Sequence, residues 1–240
     1  MNTLEEALVP SSALGRDRAV WANSPDGLHP RKLCVILDAE NYLCNVGLGA
    51  ILARSEAAGE IGAMTCLLVP FVTPEVRHSE YTCHPGFARF LVDDLMTWAR
   101  GRFPSLESGG HAILGLSLSG LQAGFTALRH PGVFTTVACQ SPSAWYRDEY
   151  LRDQVDPTAT VKADFRISVG SEETAFDVVH EPGRLHQKAS QKDSCQRLST
   201  ALKSAGHTVD FSVYDGGHDA ECWAEEMPDI LKWIAERIKI

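Results

Sequence analysis

The chain has 240 residues, of which 44% are hydrophobic and 22% charged, and its formal net charge is −9. These values predict a globular protein with a large core. The acidic balance, without a basic cluster, argues against nucleic acid and anionic membranes as partners. No apolar run in the sequence is long enough to cross a bilayer.

The seven cysteines are scattered along the chain and form no Cys-x-x-Cys pair. Cys34, Cys66 and Cys139 lie in apolar runs, where cysteine behaves as a small hydrophobic residue. We therefore expect reduced thiols, with neither a disulfide framework nor a zinc site. The segment from Met1 to Glu6 lacks the basic and apolar stretches of a signal peptide. A cytoplasmic protein without a metal is the prediction.

Apolar runs and amphipathic stretches alternate along the chain. Strands are predicted over residues 14–23, 32–38, 64–70, 112–115, 133–139, 164–170 and 208–214. Helices are predicted over residues 45–58, 85–100, 121–128, 189–205 and 221–238. A polar loop is expected over 73–81, and the aromatic and charged segment 144–161 has no clear period. This alternation predicts an α/β fold in one domain over residues 1–240, with a mostly parallel sheet covered by helices on both faces.

The most informative stretch runs from Ala112 to Gly120 and joins a strand to a helix. Its pattern, Gly115-Leu-Ser117-Leu-Ser119, matches the nucleophile elbow G-x-S-x-G, with serine in the place of the last glycine, where only small size is expected to matter. Such a turn exposes Ser117 and directs the first amides of the helix at the same point, which suits the oxyanion formed when serine attacks an ester. The alternative is an ordinary Gly/Ser turn between a strand and a helix.

A serine nucleophile needs a base, and nine histidines are available. His218 directly follows a predicted strand and two glycines, which allow the loop to bend toward the elbow. Most of the other histidines lie in predicted loops or at helix ends. His218 is therefore the predicted base, and an exposed loop histidine is the alternative.

The acid should follow a strand between the serine and the histidine, because triads of this type run in the order Ser, Asp/Glu, His. Glu172 and Glu173 both follow the predicted strand 164–170, and Asp177 is a more distant candidate. The oxyanion donors are expected to be the amide of Leu118 and one from the loop after strand 32–38. For that second donor the Glu40 amide is the first choice and the Ala39 amide the second.

Four segments together resemble the enterochelin-esterase branch of the esterase D, feruloyl esterase and mycolyltransferase group of α/β hydrolases. They are residues 37–40, 77–81, 115–120 and 215–223. The last, which contains Gly-Gly-His-Asp-Ala and reaches Cys-Trp, is the most specific. The resemblance implies the α/β-hydrolase fold without a large lid domain, Ser117 as nucleophile, His218 as base and Glu173 as acid. The chain departs from the group at Asp38-Ala39, where Asp-Gly is usual.

The same resemblance draws attention to Arg77 and Glu80, which match an Arg-x-x-Glu pattern. We interpret this pair as a brace at the pocket edge, with Arg77 as a substrate contact. Trp145 and Tyr146 are expected to lie over the site and to bind an aryl or acyl group. Packing of these aromatic rings against the sheet is the alternative.

The sequence thus predicts a serine carboxylic-ester hydrolase that acts on a small-molecule ester without a cofactor, and the candidate substrate is an aryl or siderophore-type ester. An acyltransferase with the same site is the first alternative. A non-catalytic binding protein with this fold is the second.

Overall fold

A central sheet of eight strands organises the protein, seen in a computed structural model that describes residues 4–24, 27 and 29–239. In spatial order its strands are β1 (Glu5–Val9), β2 (Arg18–Asn23), β4 (Cys66–Val69), β3 (Cys34–Leu37), β5 (His111–Leu116), β6 (Phe134–Gln140), β7 (Asp164–Gly170) and β10 (Thr208–Tyr214). β2 is antiparallel to both of its neighbours, and every pairing from β4 to β10 is parallel. The prediction of a mostly parallel sheet is confirmed. Two further strands, β8 (Val178–His180) and β9 (Leu185–Gln187), form a separate antiparallel hairpin.

Helices cover both faces of the sheet, as predicted. They are α1 (Leu48–Ala57), α2 (Pro74–Glu80), α3 (Pro85–Arg89), α4 (Met96–Arg102), α5 (Ser117–Arg129), α6 (Tyr146–Asp153), α7 (Gln191–Ser204) and α8 (Ala220–Ile238), with π-helical turns at Asn41–Val46 and Phe90–Leu95. Alternate residues of β3 belong to two different apolar clusters, because successive strand side chains point to opposite faces. One cluster includes residues of α3, α5 and α7, and the other includes residues of α1 and α8.

Local predictions fail where the elements are short or polar. The expected polar loop over 73–81 contains helix α2, which begins with Pro74 and is capped by the Thr73 hydroxyl, an acceptor for the Val76 amide. The predicted strand 14–23 begins only at Arg18. Strand β1 and the β8–β9 hairpin lie where no element was predicted, and the segment 144–161 contains α6.

Other predictions concern the chain as a whole. All seven cysteines are free thiols. Among the described residues, no helix combines the length and the apolar character needed to cross a membrane. The single domain over residues 1–240 and the cytoplasmic location stay predictions, and residues 1–3 of the N-terminal segment lie outside the described part.

A buried ion pair fixes α2 against the sheet. Arg18 on β2 is 2% exposed, and its Nη1 lies 2.8 Å from a carboxylate oxygen of Glu80 at the end of α2. Its Nη2 donates to the carbonyl of Pro70 at 2.8 Å, and the half-exposed Arg16 adds a second contact to Glu80 at 2.9 Å. Glu80 therefore acts as a brace, but it is bound by Arg18 on β2 and by Arg16 just before that strand, and not by Arg77.

Replacing Arg18 should test this anchor. We expect Arg18→Met to lower the free energy of unfolding by about 3 kcal/mol, because it leaves a buried carboxylate with only one arginine. Arg31→Met is the matched control: Arg31 is 78% exposed in its pair with Glu107, and its loss should cost at most about 1 kcal/mol. Urea denaturation measures both changes. Equal losses in the two variants would contradict the anchoring role.

Candidate active site

The candidate residues meet at the carboxyl edge of the parallel strands. Ser117 follows β5, Glu173 lies three residues beyond the end of β7, and His218 lies four residues beyond β10. β5 and β7 both pair with β6, and β10 pairs with β7. Loops that leave the same ends of neighbouring parallel strands converge, so residues distant in sequence are brought together.

The turn from β5 to α5 is as tight as the elbow pattern predicts. Ser117 has a φ of 52°, a conformation rare for residues other than glycine. A Cβ atom on Gly115 would lie 2.4 Å from the carbonyl carbon and oxygen of Ser119, so no larger residue fits there. A Cβ atom on Gly120 would in turn lie 3.0 Å from the Gly115 carbonyl oxygen.

Ser119 does more than occupy little space, and the expectation that only its size matters is wrong. Its side chain is fully buried, donates to the Leu116 carbonyl at 2.7 Å and accepts from the Leu116 amide at 2.9 Å. These bonds close the turn across its base, from the last residue of β5 to the third residue of α5.

A line of hydrogen bonds joins the three predicted catalytic residues. Nε2 of His218 lies 3.0 Å from Oγ of Ser117, and Nδ1 of the same ring lies 2.6 Å from Oε2 of Glu173. A carboxylate can only accept, so Nδ1 carries the hydrogen and Nε2 of the neutral ring accepts from the serine hydroxyl. Glu172 is exposed, and Asp177 lies 2.6 Å from His186. Of the three acids that sequence left open, Glu173 is the one in contact with His218.

The environment of Glu173 favours its ionised form. Burial opposes ionisation, but the hydrogen bond and charge of His218, with bonds from Ser141 and the Gly170 amide, outweigh it and hold the Glu173 pKa below its usual value. Oε1 accepts from Ser141 at 2.6 Å, from the Gly170 amide at 2.7 Å and from the Tyr214 hydroxyl at 3.0 Å. The carboxylate is therefore both oriented and charged.

Two helix starts carry the candidate oxyanion amides. Leu118 is the second residue of α5, and Ala39 and Glu40 open the helical turn that follows β3. The first amides of a helix have no partner within it. Asp38, with a φ of 63°, itself adopts the left-handed backbone at this loop. Ala39 is not among the residues with positive φ. An alanine is therefore compatible with position 39, where the resembled group usually has glycine.

Arg77 holds this second loop in place. Its Nε donates to both carboxylate oxygens of the fully buried Asp38, at 2.8 and 3.0 Å, and its Nη2 reaches the second of them. The Tyr81 hydroxyl accepts from the Asp38 amide at 3.2 Å. Glu40, two residues after Asp38, accepts from the Phe71 amide at 3.1 Å, and burial raises the pKa of the Glu40 carboxyl. Arg77 thus fixes the loop that carries the candidate oxyanion donors.

Two open cavities flank Ser117. The larger, about 370 Å³, extends under the β8–β9 hairpin and includes Trp145, His180, Leu185 and Gln191 in its wall. The smaller, about 340 Å³, is bordered by Phe71 and Trp223. Both share Arg77, His78, Ser117, Glu181 and His218. A substrate with groups on both sides of a reacting bond would fit such an arrangement.

The predicted substrate contacts are separated by the structure. Arg77 and Trp145 line the larger cavity, and the Trp145 ring, 4% exposed, donates to Gln191. Tyr146 lines a neighbouring groove with Arg147 and Arg184 instead. The chain has positive φ at three consecutive residues from Arg147 onward, which turns it away from the cavity after Trp145.

Sequence reasoning missed four residues of the site. His78 and His180 fall in stretches where the sequence predicts no helix or strand, yet both line the larger cavity. Ser141 and Tyr214 bind Glu173 and were not considered. Ser141 directly follows β6, so the rule that active residues follow parallel strands could have found it.

Comparisons with known proteins identify the family of this chain. The family model described as "Putative esterase" matches residues 11–234. The iron(III) enterobactin esterase of Dickeya dadantii is 28% identical over 239 residues, which cover 93% of this chain and 53% of that protein. The uncharacterized protein YjcH of Bacillus subtilis is 24% identical over 241 residues, which cover 96% of each chain. This chain spans about half the length of the curated enterobactin esterases that it matches.

Solved structures show the same architecture. The enterobactin esterase FES of Shigella flexneri superposes with a TM-score of 0.81 at 20% identity, covering 98% of this chain and 59% of that chain. A ferulic acid esterase superposes with a TM-score of 0.74 at 15% identity and covers 98% of both chains. The predicted α/β-hydrolase fold is confirmed. Within the described residues the β8–β9 hairpin covers the cavity, and there is no large lid domain.

Two glycines offer a matched test of the elbow. Gly115→Ala should lower the free energy of unfolding by about 1–3 kcal/mol, because its Cβ would overlap Ser119, and it should displace Ser117. Gly101→Ala in α4 meets no atom within 4 Å and should be neutral or stabilising by up to about 1 kcal/mol. Denaturant unfolding and the labelling rate of Ser117 by a fluorophosphonate measure both effects. If Gly115→Ala were as stable and as reactive as Gly101→Ala, the proposed tight turn would be wrong.

Proposed function

The chain belongs to the esterase family, and from that premise we propose that it is a serine carboxylic-ester hydrolase with a Ser117–His218–Glu173 triad. The observation that carries the proposal is the continuous hydrogen-bonded line from the serine hydroxyl to a buried, ionised carboxylate. A structural serine, histidine and glutamate have no need to meet in this order at the open edge of a sheet, beside a cavity. The arrangement is the one that acyl transfer requires.

In the proposed reaction, Oγ of Ser117 attacks the ester carbonyl while Nε2 of His218 takes its proton. Glu173 stabilises the resulting imidazolium and keeps the ring in the tautomer that can accept that proton. His218 then gives the proton to the departing alcohol, which leaves an acyl group on Ser117. Water, activated by the same histidine, releases the acid and restores the enzyme.

The tetrahedral oxyanion needs two donors, and the backbone supplies them in this proposal. One is the Leu118 amide at the start of α5, supported by the positive end of the helix dipole. The other comes from the turn after β3, as the Glu40 amide or, next to it, that of Ala39. The Asp38–Arg77 pair supports this assignment because it holds the turn rigid, and a preorganised donor costs no rearrangement during the reaction.

For the substrate we propose an aryl or siderophore-type ester. The iron(III) enterobactin esterases and the ferulic acid esterase among the similar proteins suggest this class. In this chain the stacked rings of Trp145 and His180, 5.0 Å apart, give the larger cavity a flat aromatic wall. Its volume of about 370 Å³ suits a group of that size. An acyltransferase would use the same site, and product analysis with an added alcohol distinguishes the two.

Ser117→Ala tests the nucleophile. Turnover of an activated aryl ester should fall about a million-fold, and fluorophosphonate labelling should disappear. Ser143→Ala is the matched control, since its hydroxyl lies 3.5 Å from Oγ of Ser117 but is not bonded to His218 among the described contacts. This control should keep the label. Labelling of Ser117→Ala at any other serine would argue for a different nucleophile, and an unlabelled parent protein would favour the non-catalytic binding protein.

Two adjacent glutamates test the acid. Glu173→Gln should lower kcat about ten-thousand-fold, because the amide can no longer stabilise the imidazolium or fix its tautomer. Glu172→Gln changes an exposed side chain and should cost less than about tenfold. Steady-state kinetics and thermal unfolding of both variants provide the measurement. Equal rates in the two folded variants would remove Glu173 from the mechanism.

A further inference from the structure

The tip of the β8–β9 hairpin is docked on helix α2 through one histidine. The Gly183 amide donates to Nδ1 of His78 at 3.2 Å, and a Cβ atom at Gly183 would lie 2.8 Å from that nitrogen. Since Nδ1 accepts, the hydrogen of the neutral ring is on Nε2. Burial, with the charges of Arg77 and His180, lowers the pKa of His78 and favours this neutral form.

His180 on the same hairpin has the same tautomer but bonds to the protein through its other nitrogen. The side-chain nitrogen of Gln187 donates to the Ala175 carbonyl at 2.8 Å, so the other amide atom of Gln187 is its oxygen. That oxygen lies 2.8 Å from Nε2 of His180, which must therefore carry the hydrogen. In the neutral ring Nδ1 is left as an acceptor. The ring stacks on Trp145 at an interplanar angle of 15°.

The two remaining ring nitrogens are open to a ligand. Neither Nε2 of His78 nor Nδ1 of His180 has a hydrogen-bond partner among the described residues. Neither atom is fully buried, so both can be reached from the cavity. Both rings line the larger cavity. The cavity wall thus offers one donor and one acceptor, each fixed by a bond on the far side of its ring.

The charges around this wall disfavour an anion. The guanidinium of Arg77 lies against the carboxylate of Asp38, which balances its charge. Glu172 and Glu181 line the same cavity and are exposed, and no ion pair of either is found within the described ranges. A negative group in this cavity would share it with these two carboxylates and with the acceptor nitrogen of His180.

We propose that the larger cavity selects esters carrying an uncharged planar group with a hydrogen-bond acceptor beside a donor, of which a carboxamide is the simplest, and discriminates against a carboxylate at the same position. The carbonyl of such a group accepts from Nε2 of His78, its N–H donates to Nδ1 of His180, and its plane lies near the Trp145–His180 stack. This selectivity rests on the proposed esterase function of Ser117.

Three matched substrates test the selectivity. They are the p-nitrophenyl esters of benzoic acid, para-carbamoylbenzoic acid and para-carboxybenzoic acid, with each enzymatic rate divided by the rate of the same ester in hydroxide. We expect kcat/KM for the carbamoyl ester to exceed that of each of the other two by at least about tenfold, because each unmatched polar group in the wall opposes binding. If all three esters are turned over and the ratio of kcat/KM between the carbamoyl ester and the benzoyl ester (the carbamoyl to benzoyl ratio) is near one, the selectivity is overturned. The proposed hydrolase activity would then still stand.

Variants assign the effect to the two rings. His78→Asn keeps an acceptor oxygen for the Gly183 amide, but its amide nitrogen does not reach the position of Nε2. His180→Phe keeps the stack on Trp145 without any nitrogen. Each should lower the carbamoyl to benzoyl ratio to about one third of the parent value or less. His186→Phe is the control, since His186 is exposed and bonded to Asp177, and it should keep the ratio. An unchanged ratio in both test variants would refute the role of these rings.

Binding to Ser117→Ala, measured by calorimetry with the same three esters, separates recognition from catalysis. Tighter binding of the carbamoyl ester by about tenfold would support the selectivity even if the parent protein turned over none of the three, an outcome that would overturn the hydrolase alone. Equal binding of all three would overturn the selectivity.

Discussion

The sheet edge that carries the candidate site depends on one buried carboxylate. A charge removed from water must be compensated, and Glu173 is compensated by groups from three neighbouring strands and the loop beyond them: Ser141 after β6, the Gly170 amide at the end of β7, Tyr214 at the end of β10, and His218. Each bond also fixes the end of a strand relative to the next. The electrostatics that keep Glu173 ionised therefore also set the geometry of the loop that presents His218 to Ser117.

A short helix performs a similar task on the other side of Ser117. In seven residues α2 supplies three separate anchors: Arg77 holds the Asp38 turn, His78 receives the hairpin tip, and Glu80 binds Arg18 on β2. Tyr81, directly after it, accepts from the Asp38 amide. The oxyanion side of the candidate site and the wall of its larger cavity thus share one support, itself tied to the sheet by a buried ion pair.

Patterns confined to a few adjacent residues allowed the parallel sheet and the positions of Ser117 and His218 after its strands to be predicted. The strand-turn-helix pattern around Ser117 and the glycines before His218 are local, and the long apolar runs predicted the parallel sheet. The choice between Glu172 and Glu173 was open in the residues alone, because neighbours on a loop differ in direction and not in chemistry. The helix α2 was missed because its residues are mostly polar and its stability comes from a Thr73 cap and buried partners distant in sequence. Strands of three residues, as in β8 and β9, carry too short a pattern to detect.

The β8–β9 hairpin has a consequence for how such proteins diversify. Within the described residues its two strands pair with each other and not with the central sheet. Residues between Glu173 and Ser190 can therefore change in length or sequence without shifting the register of any strand that carries Ser117 or His218. Mutations in this segment can alter the wall of the larger cavity while the positions of Ser117 and His218 are preserved. One sheet can in this way carry cavities of different shape above the same candidate site.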